Sequence, residues 1–277
     1  MRLLAMLLIS LGGPAAMPGA QGRGDVSFEQ GVPEVDAFDY VEVTVRAPKA
    51  AGGNPFRDAT LAGQFRREGD PPRRVEGFCD AADGTAYRIR FLPTRPGKHT
   101  YSVTFRRGGE TTTHAGAFSA RDGGRAGPVR VDPDHPWHFL REGTGDHYFW
   151  NGTTTYWLLG WRDEAVIRRA IDRLAGLKVN RIRVALCGRT TDGRRWDEPL
   201  VVNTDTFRFR LNPWVAARPD SVEDPGFDVT RFNLPFWRKA ERTVGYARDK
   251  GVVVSLLFFL DGRDPGVDPF GRAGAGG

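Results

Sequence analysis

The chain has 277 residues and the composition of a globular protein, with 40% hydrophobic, 27% charged and 11% aromatic residues. This length allows one large domain or two of ordinary size. The formal net charge of +6 comes mainly from arginines, and arginine pairs such as Arg66-Arg67 and Arg73-Arg74 are scattered along the chain. A nucleic-acid-binding protein would more often gather its basic residues on one element, so no nucleic-acid partner is expected.

Residues 1–20 are predicted to be a signal peptide. Arg2 precedes an apolar run over residues 3–11, and small and proline residues follow. The apolar run is too short to span a bilayer, and this order is typical of a secretory signal. We therefore expect a secreted or periplasmic protein with no membrane span after signal cleavage. In such a compartment Cys79 and Cys187 could form a disulfide or both be free, and the sequence leaves the two alternatives open.

Residues 26–120 are predicted to form an all-β, antiparallel sandwich of the immunoglobulin-like kind. Apolar and polar residues alternate in short runs that are separated by Gly- and Pro-rich turns. The predicted strands are Tyr40–Arg46, Thr60–Arg66, Ala86–Leu92 and His99–Arg106. Alternation in the third strand places Arg88 and Arg90 on its solvent face. Residues 121–136, rich in Gly, Asp and Pro, are predicted to be a linker.

From residue 137 onward the pattern changes to strands that alternate with helices. Predicted strands cover His147–Leu159, Val179–Leu186 and 252–260. Short connections between helix and following strand indicate parallel pairing.

Two helices are predicted between these strands. The first begins after Asp163, which is expected to cap it, and ends at Gly176. The second begins at Asn233 and Pro235, and its predicted apolar face contains Phe236, Ala240, Val244 and Ala247.

Two architectures accommodate this order of elements. A doubly wound nucleotide-binding sheet has a glycine-rich turn after its first strand, and Gly160-Trp161-Arg162 is not such a turn. A (β/α)8 barrel needs about 250 residues. Residues 137–277 are too few for a whole barrel. They are therefore predicted to be the N-terminal portion of one, and the chain is predicted to be truncated after the third barrel strand.

Several motifs resemble a known family. Asn54-Pro55-Phe56-Arg57-Asp58 and the run from Pro96 to Tyr101 are similar to a small β-sandwich domain of unknown function. That domain precedes the catalytic barrel in secreted bacterial glycoside hydrolases of the apiosidase-like kind. The run Gly152 to Trp157 resembles the first barrel strand of those enzymes, and Asn180-Arg181-Ile182-Arg183-Val184 resembles the second.

The resemblance implies retaining hydrolysis of O-glycosyl bonds in a polysaccharide. This chemistry requires two carboxyl groups about 5–5.5 Å apart. In the family these are glutamates at the ends of strands four and seven, the first commonly after an asparagine, and this chain contains no Asn-Glu dipeptide. No catalytic residue is assigned, and the chain alone is expected to be inactive. No cofactor and no metal site are expected, since His135 and His138 lack a third ligand nearby.

Six residues are candidates for binding a polysaccharide or oligosaccharide substrate: Thr154, Trp161, Arg183, Trp196, Trp214 and Asp261. The resemblance places Arg183 where family members have an arginine beside the nucleophile. There it would keep a carboxylate ionised and oriented. The alternative is that it points toward the helices.

The other five candidates follow from position. Thr154, Trp161 and Asp261 lie at strand ends, where barrels carry their sites, although core packing and an ordinary Asp-Gly turn are the alternatives. Trp196 and Trp214 lie in a long excursion over 188–232 and are candidate platforms for a sugar ring.

A second function is compatible with the same sequence. The chain could be a non-catalytic secreted protein whose sandwich binds carbohydrate or a partner surface. The sequence does not predict an oligomeric state.

Overall fold

The computed structural model describes residues 25–50, 52–186, 205–207, 211–220 and 225–258. Within these ranges the protein is mostly β, with several separate sheets, and no barrel closes. The strands of the N-terminal portion are β1 (Ser27–Gln30), β2 (Glu34–Asp36), β3 (Val41–Arg46), β4 (Ala59–Arg67), β5 (Arg73–Glu76), β6 (Phe78–Cys79), β7 (Ala86–Phe91), β8 (Gly97–Arg107) and β9 (Glu110–Arg121).

Two sheets make up this portion, as expected for a β-sandwich. One has the order β1-β3-β7-β6 and the other β2-β9-β8-β4-β5. All neighbouring strands are antiparallel except β2, which runs parallel to β9. A wholly antiparallel sandwich was therefore the wrong expectation at this edge. The chain leaves β1 in the first sheet, turns at residues 31–33, and joins the second sheet as β2.

The space between the two sheets is filled by apolar side chains. Val41, Val43 and Val45 of β3 alternate with Glu42 and Thr44, and all three valines are fully buried. Each fully buried side chain of this kind contributes about 1.5–3 kcal/mol relative to an exposed one. Burial of this core therefore stabilises the sandwich.

The four strands predicted for this portion are confirmed by β3, β4, β7 and β8, which differ at their ends by at most two residues. Strand β9 was not predicted, because its Thr-, Ala- and Gly-rich sequence offers few large apolar residues. Arg88 and Arg90 lie on the face away from the sandwich core, as alternation predicts, but that face is only partly open to solvent. Both are half-buried, and their Nε atoms donate to Asp80 and Glu42 respectively, each at 2.6 Å.

A short antiparallel hairpin connects the sandwich to the rest of the chain. Its strands are β10 (Val129–Val131) and β11 (Phe139–Arg141), so part of the predicted linker is a strand. The turn between them is held by the buried Asp132, whose Oδ1 accepts hydrogen bonds from the N–H groups of Asp134 and His135.

A three-stranded parallel sheet follows in the order β12-β13-β16. Its members and the elements between them are β12 (Gly152–Thr154), a 3-10 turn (Leu158–Gly160), α1 (Glu164–Gly176), β13 (Arg181–Ala185), β14 (Trp214–Ala216), β15 (Phe227–Phe232), α2 (Leu234–Asp249) and β16 (Val253–Leu257). The parallel pairing predicted for the three strands of this portion is confirmed, and β14 and β15 form an additional antiparallel pair.

Helix α1 begins where the sequence predicts. Asp163 Oδ1 accepts a hydrogen bond from the Ala165 N–H at 2.8 Å, which satisfies one of the donors that every helix start leaves open. Ile167 and Ile171 are buried against the sheet. Gly176 is the last helical residue, and the left-handed turn that follows is made by Lys178 with φ of 63°.

Two expectations for this portion are wrong in detail. Of the predicted strand His147–Leu159, residues 152–154 form β12 and His147 makes an isolated bridge with Leu140. Strand β12 ends there because the Leu158 N–H donates to the Thr155 carbonyl and a helical turn begins. On α2, Thr243 is buried and Val244 is exposed. The buried line of that helix therefore advances from Ala240 by three residues rather than four.

The sandwich contacts the C-terminal portion through the loop before β4. The Asn54 side-chain amide donates to the Thr230 carbonyl at 3.0 Å and to its hydroxyl at 2.7 Å. Arg231 donates to the Gly53 carbonyl at 2.9 Å. The motif that resembles the sandwich family thus holds strand β15 against the sandwich.

Strand β7 makes a second contact across the same interface. The Arg90 guanidinium forms ion pairs with Glu42 and, at 2.7 Å, with Glu241 of α2. It also lies over the rings of Tyr40 and Phe78, at 4.9 and 5.3 Å. The charged face of β7 is therefore partly covered by α2, a contact that alternation along β7 cannot reveal.

Candidate functional site

The parallel sheet has one apolar and one polar face. Ile182 and Val184 of β13 are buried in the same cluster as Ile167, Ile171 and Ala240, so this face packs against both helices. Successive side chains on a strand point to opposite faces. Arg181 and Arg183 therefore lie on the face away from the helices, and the alternative that Arg183 points toward them is excluded.

Arg183 lies in a row of polar residues that crosses all three strands. The register pairs it with Thr154 on one side and with Ser255 on the other. Paired residues of a parallel ladder share a face, so Thr154, Arg183 and Ser255 are neighbours there. We call these three residues the polar row.

Among the described residues, few side chains surround the Arg183 guanidinium. It lies 5.7 Å from the centre of the Tyr156 ring, and among the described residues no carboxylate pairs with it. A half-buried guanidinium in this position could bind a carboxylate through two parallel hydrogen bonds or donate to sugar hydroxyls.

Arg181 is held more firmly than Arg183. Its guanidinium lies 4.0 Å from the centre of the Trp150 ring, and its Nε donates to Ser255 Oγ at 2.9 Å. Cation–π contacts of this kind contribute about 0.5–2 kcal/mol. Arg181 therefore fixes the Ser255 hydroxyl, and with it one end of the polar row.

Trp161 and Trp214 both pack against other aromatic side chains. Trp161 packs at the edge of the helix-side core and meets Phe207 edge to face at 5.1 Å. Trp214 is 5% exposed, begins β14, and meets Phe227 at 5.8 Å. Trp214 therefore lies buried on a strand, whereas the platform predicted from its place in the long excursion needs an exposed ring face. Trp196 and Asp261, the remaining two candidates, lie outside the described residues.

The loop that carries Trp161 is fixed by a lysine from α2. Lys239 Nζ donates to the Leu159 carbonyl at 2.9 Å and to the Trp161 carbonyl. Burial lowers the pKa of this ammonium, although nearby Glu164 opposes that effect. Lys239 thereby satisfies carbonyls at the end of the 3-10 turn and positions the segment that follows β12.

Sequence reasoning missed Tyr156, Ser255 and Lys239 as parts of this region. A period of two continued past the end of β12 could have placed Tyr156 near Thr154. The position of Ser255 beside Arg183 depends instead on the register between β13 and β16. No local pattern reveals Lys239, because its partners lie about 80 residues earlier in the chain.

Neither a metal centre nor a membrane helix is found in the described ranges. They contain no group of three or more His, Cys, Asp and Glu residues placed to hold a metal ion. Neither of the two α-helices described is long and apolar enough to cross a bilayer.

Comparison with known proteins gives a family match and similarities to solved structures. Residues 34–106 match a domain of unknown function, DUF5060. No curated protein matches the sequence. The chain is similar to the crystal structure of a "putative glycoside hydrolase" from Bacteroides vulgatus ATCC 8482, with a TM-score of 0.65 and 23% sequence identity. The alignment covers 82% of this chain and 42% of that one, so this chain spans less than half the length of that protein.

Two further solved structures are more distant. The Lin-41 filamin domain aligns with a TM-score of 0.25 and 13% identity, over 35% of this chain and 93% of its own. A beta-glucuronidase from Parabacteroides merdae aligns with a TM-score of 0.20 and 15% identity, over 57% of this chain and 20% of its own. Scores this low carry no argument. The fold is therefore shared with the Bacteroides vulgatus protein, and the DUF5060 match lies within the sandwich.

Proposed function

We propose that this chain is the N-terminal part of a secreted glycoside hydrolase of the apiosidase-like kind, with a sandwich followed by the first strands of a (β/α)8 barrel. The observation that carries the proposal is the fold similarity to the Bacteroides vulgatus protein over 82% of the chain. The sheet supports the barrel, because its three strands follow in chain order with both helices on one face. A doubly wound sheet would have helices on both faces.

The proposed reaction is hydrolysis of a polysaccharide with retention of anomeric configuration. One carboxylic acid protonates the leaving oxygen while a carboxylate attacks the anomeric carbon, and water then hydrolyses the glycosyl-enzyme. We place both glutamates in sequence beyond Gly277. In that arrangement Arg183 would hold the nucleophilic carboxylate ionised, and Thr154 would bind a sugar hydroxyl.

Export is the second part of the proposal. Residues 1–20 would act as a signal peptide and be removed during secretion. Expression in a bacterial host should give a periplasmic or extracellular product whose N-terminal sequence begins near residue 21. A product that keeps Met1 in the cytoplasm would contradict this.

Hydrolysis is best tested with two proteins, the 277-residue chain and a gene product extended past Gly277. Reducing-end release on a panel of neutral and acidic polysaccharides should be seen only with the extended protein, and proton NMR should show retention. Arg183→Gln in the extended protein should lower kcat/KM by about 10–100-fold, the loss expected for a hydrogen bond to a charged group. Arg106→Gln, an exposed change on the sandwich, is the matched control. Any of three results would overturn the proposal: inversion of the anomeric configuration, activity of the 277-residue chain, or an unchanged kcat/KM in Arg183→Gln.

A further inference from the structure

One end of the sandwich carries a pocket rich in arginine, remote in sequence from the polar row. It lies between the turn that joins β4 to β5 and the turn that joins β7 to β8. Its lining combines cationic, aromatic and hydroxyl groups, namely Phe65, Arg67, Asp70, Arg73, Phe91, Thr94, Arg95 and His99, with Pro71 at the edge. We call it the arginine pocket.

The pocket has more positive than negative charge. Asp70 is its single carboxylate, and Asp70 Oδ2 accepts hydrogen bonds from Arg67 Nε at 2.9 Å and from Arg95 at 2.6 Å. Arg73 is a third guanidinium, and among the described residues it has no ion-pair partner. Three cations against one anion leave a surplus of two positive charges in the lining.

Two of the three arginines also contact neighbouring groups of the protein before any ligand arrives. Arg67 is fixed by Asp70, and Arg73 lies over the Phe91 ring at 5.9 Å. Phe91 is in turn stacked on Phe65 with ring centres 4.7 Å apart. A guanidinium ordered in this way loses less side-chain entropy when it binds an anion.

The floor of the pocket adds no further charge. His99 is 3% exposed, and burial, together with the nearby Arg67 cation, lowers its pKa, so the ring is neutral at pH 7. The Thr94 hydroxyl at the rim is a neutral hydrogen-bond donor. Such a lining favours a small, planar or tetrahedral anionic group over a neutral one.

We propose that the arginine pocket binds the carboxylate or sulfate group of an acidic polysaccharide chain. Arg73 and Arg95 supply the charge-assisted hydrogen bonds, and the sugar ring that bears the anion stays outside the narrow pocket. The choice of a saccharide as the carrier rests on the proposed function, whereas the preference for an anion rests on the pocket alone. The sandwich would thereby hold an acidic polymer on the protein at a distance from the cleaved bond.

Binding to the 277-residue chain can be measured without any catalytic activity. Isothermal titration and affinity gel electrophoresis would use a polygalacturonate, a sulfated galactan and a neutral galactan as probes, with sodium acetate and sodium sulfate as free-ion controls. We expect the chain to bind polygalacturonate or the sulfated galactan and not to bind the neutral galactan. Comparison of the two acidic polymers shows whether the bound anion is a carboxylate or a sulfate. The affinity should fall as NaCl is raised from 50 to 500 mM, because exposed charges are screened. Equal binding of the neutral polymer, or binding of the free ions alone, would overturn the proposal.

Matched variants locate the binding site. Arg73→Ala and Arg95→Ala should each weaken binding of the acidic polymer by about tenfold or more. Arg106→Ala removes the same charge at the opposite end of β8 and should leave the affinity within about twofold. Thermal melts confirm folding, and Arg73→Gln serves where truncation to alanine lowers the yield. Equal losses in Arg106→Ala would sink the proposal. The extended protein could hydrolyse a neutral polysaccharide while the chain binds no acidic polymer. That result would refute anion binding by the arginine pocket and leave the proposed function standing.

Discussion

Asn54 is the residue through which the interface is most directly tested. Its side-chain Nδ2 donates to the carbonyl and to the hydroxyl of Thr230 on β15, and its side-chain Oδ1 accepts from the Phe56 N–H at 3.1 Å. Asn54→Ala removes all three bonds. Net contributions of about 1 kcal/mol per bond give an upper value of about 3 kcal/mol. Because Asn54 is only half-buried and water can replace some partners, we expect a loss of about 1–2 kcal/mol.

The tryptophans make this loss measurable at a distance. All seven lie between residues 137 and 237, so fluorescence in urea follows the C-terminal portion and not the sandwich that carries Asn54. With a urea m-value of about 1–3 kcal/mol/M, a loss of 1 kcal/mol moves the midpoint down by roughly 0.3–1 M. Far-UV circular dichroism, which reports both portions, should shift with it.

A double-mutant cycle isolates the contact itself. Thr230→Val also loses the hydroxyl bond to Asp228, but that loss cancels in the cycle, which should give a coupling energy of about 1 kcal/mol. Thr104→Val is the control, since Thr104 bonds Thr113 on the exposed surface of the sandwich at 3.1 Å, and within the described ranges no hydrogen bond joins its side chain to the C-terminal portion. An unchanged tryptophan midpoint in Asn54→Ala, a coupling energy below about 0.3 kcal/mol, or an equal shift in Thr104→Val would refute the reasoning.

Two further predictions concern stability. Burial holds the pKa of His99 below its usual value, so the unfolded chain binds more protons than the folded one. The free energy of unfolding should therefore be highest above pH 6.5 and should fall as the pH is lowered toward the pKa of the folded state. Urea midpoints from pH 8 to 5 should show this fall, and His99→Phe should flatten it; an unchanged slope would contradict the assignment. Gly116→Ala should destabilise by about 1–3 kcal/mol, because its Cβ would lie 2.3 Å from the Tyr101 hydroxyl. In Gly245→Ala the new methyl group on α2 meets open space, so this variant should be more stable by roughly 0.5–1 kcal/mol. Thermal melts in which Gly116→Ala and Gly245→Ala shift Tm in the same direction would contradict the packing described at these two glycines.

The parts of the fold that could be predicted are those with one buried face. Strands β3, β4, β7 and β8 alternate because one side of each lies in the sandwich core, and alternation placed Arg183 opposite Ile182 and Val184 without fixing which face meets the helices. Strand β9 escaped prediction because its pairing with β8, rather than its own apolar content, makes it a strand. Trp214 was misplaced for a related reason. Its packing partner Phe227 arrives only when β14 and β15 pair.

The interface could not be predicted, because it is polar and long-range. The two apolar cores share no residue, and the contacts between them are mainly hydrogen bonds and ion pairs such as Arg238 to the Asp80 carbonyl. Polar interfaces of this kind are typical of domains that keep their own cores. The sandwich contacts β15 and α2, elements that lie between β13 and β16 in the chain. The segment that joins β13 to β16, two strands of the polar row, therefore fixes the orientation of the sandwich. A substitution at Asn54 would affect the candidate site through its contact with β15, since the two portions share no core.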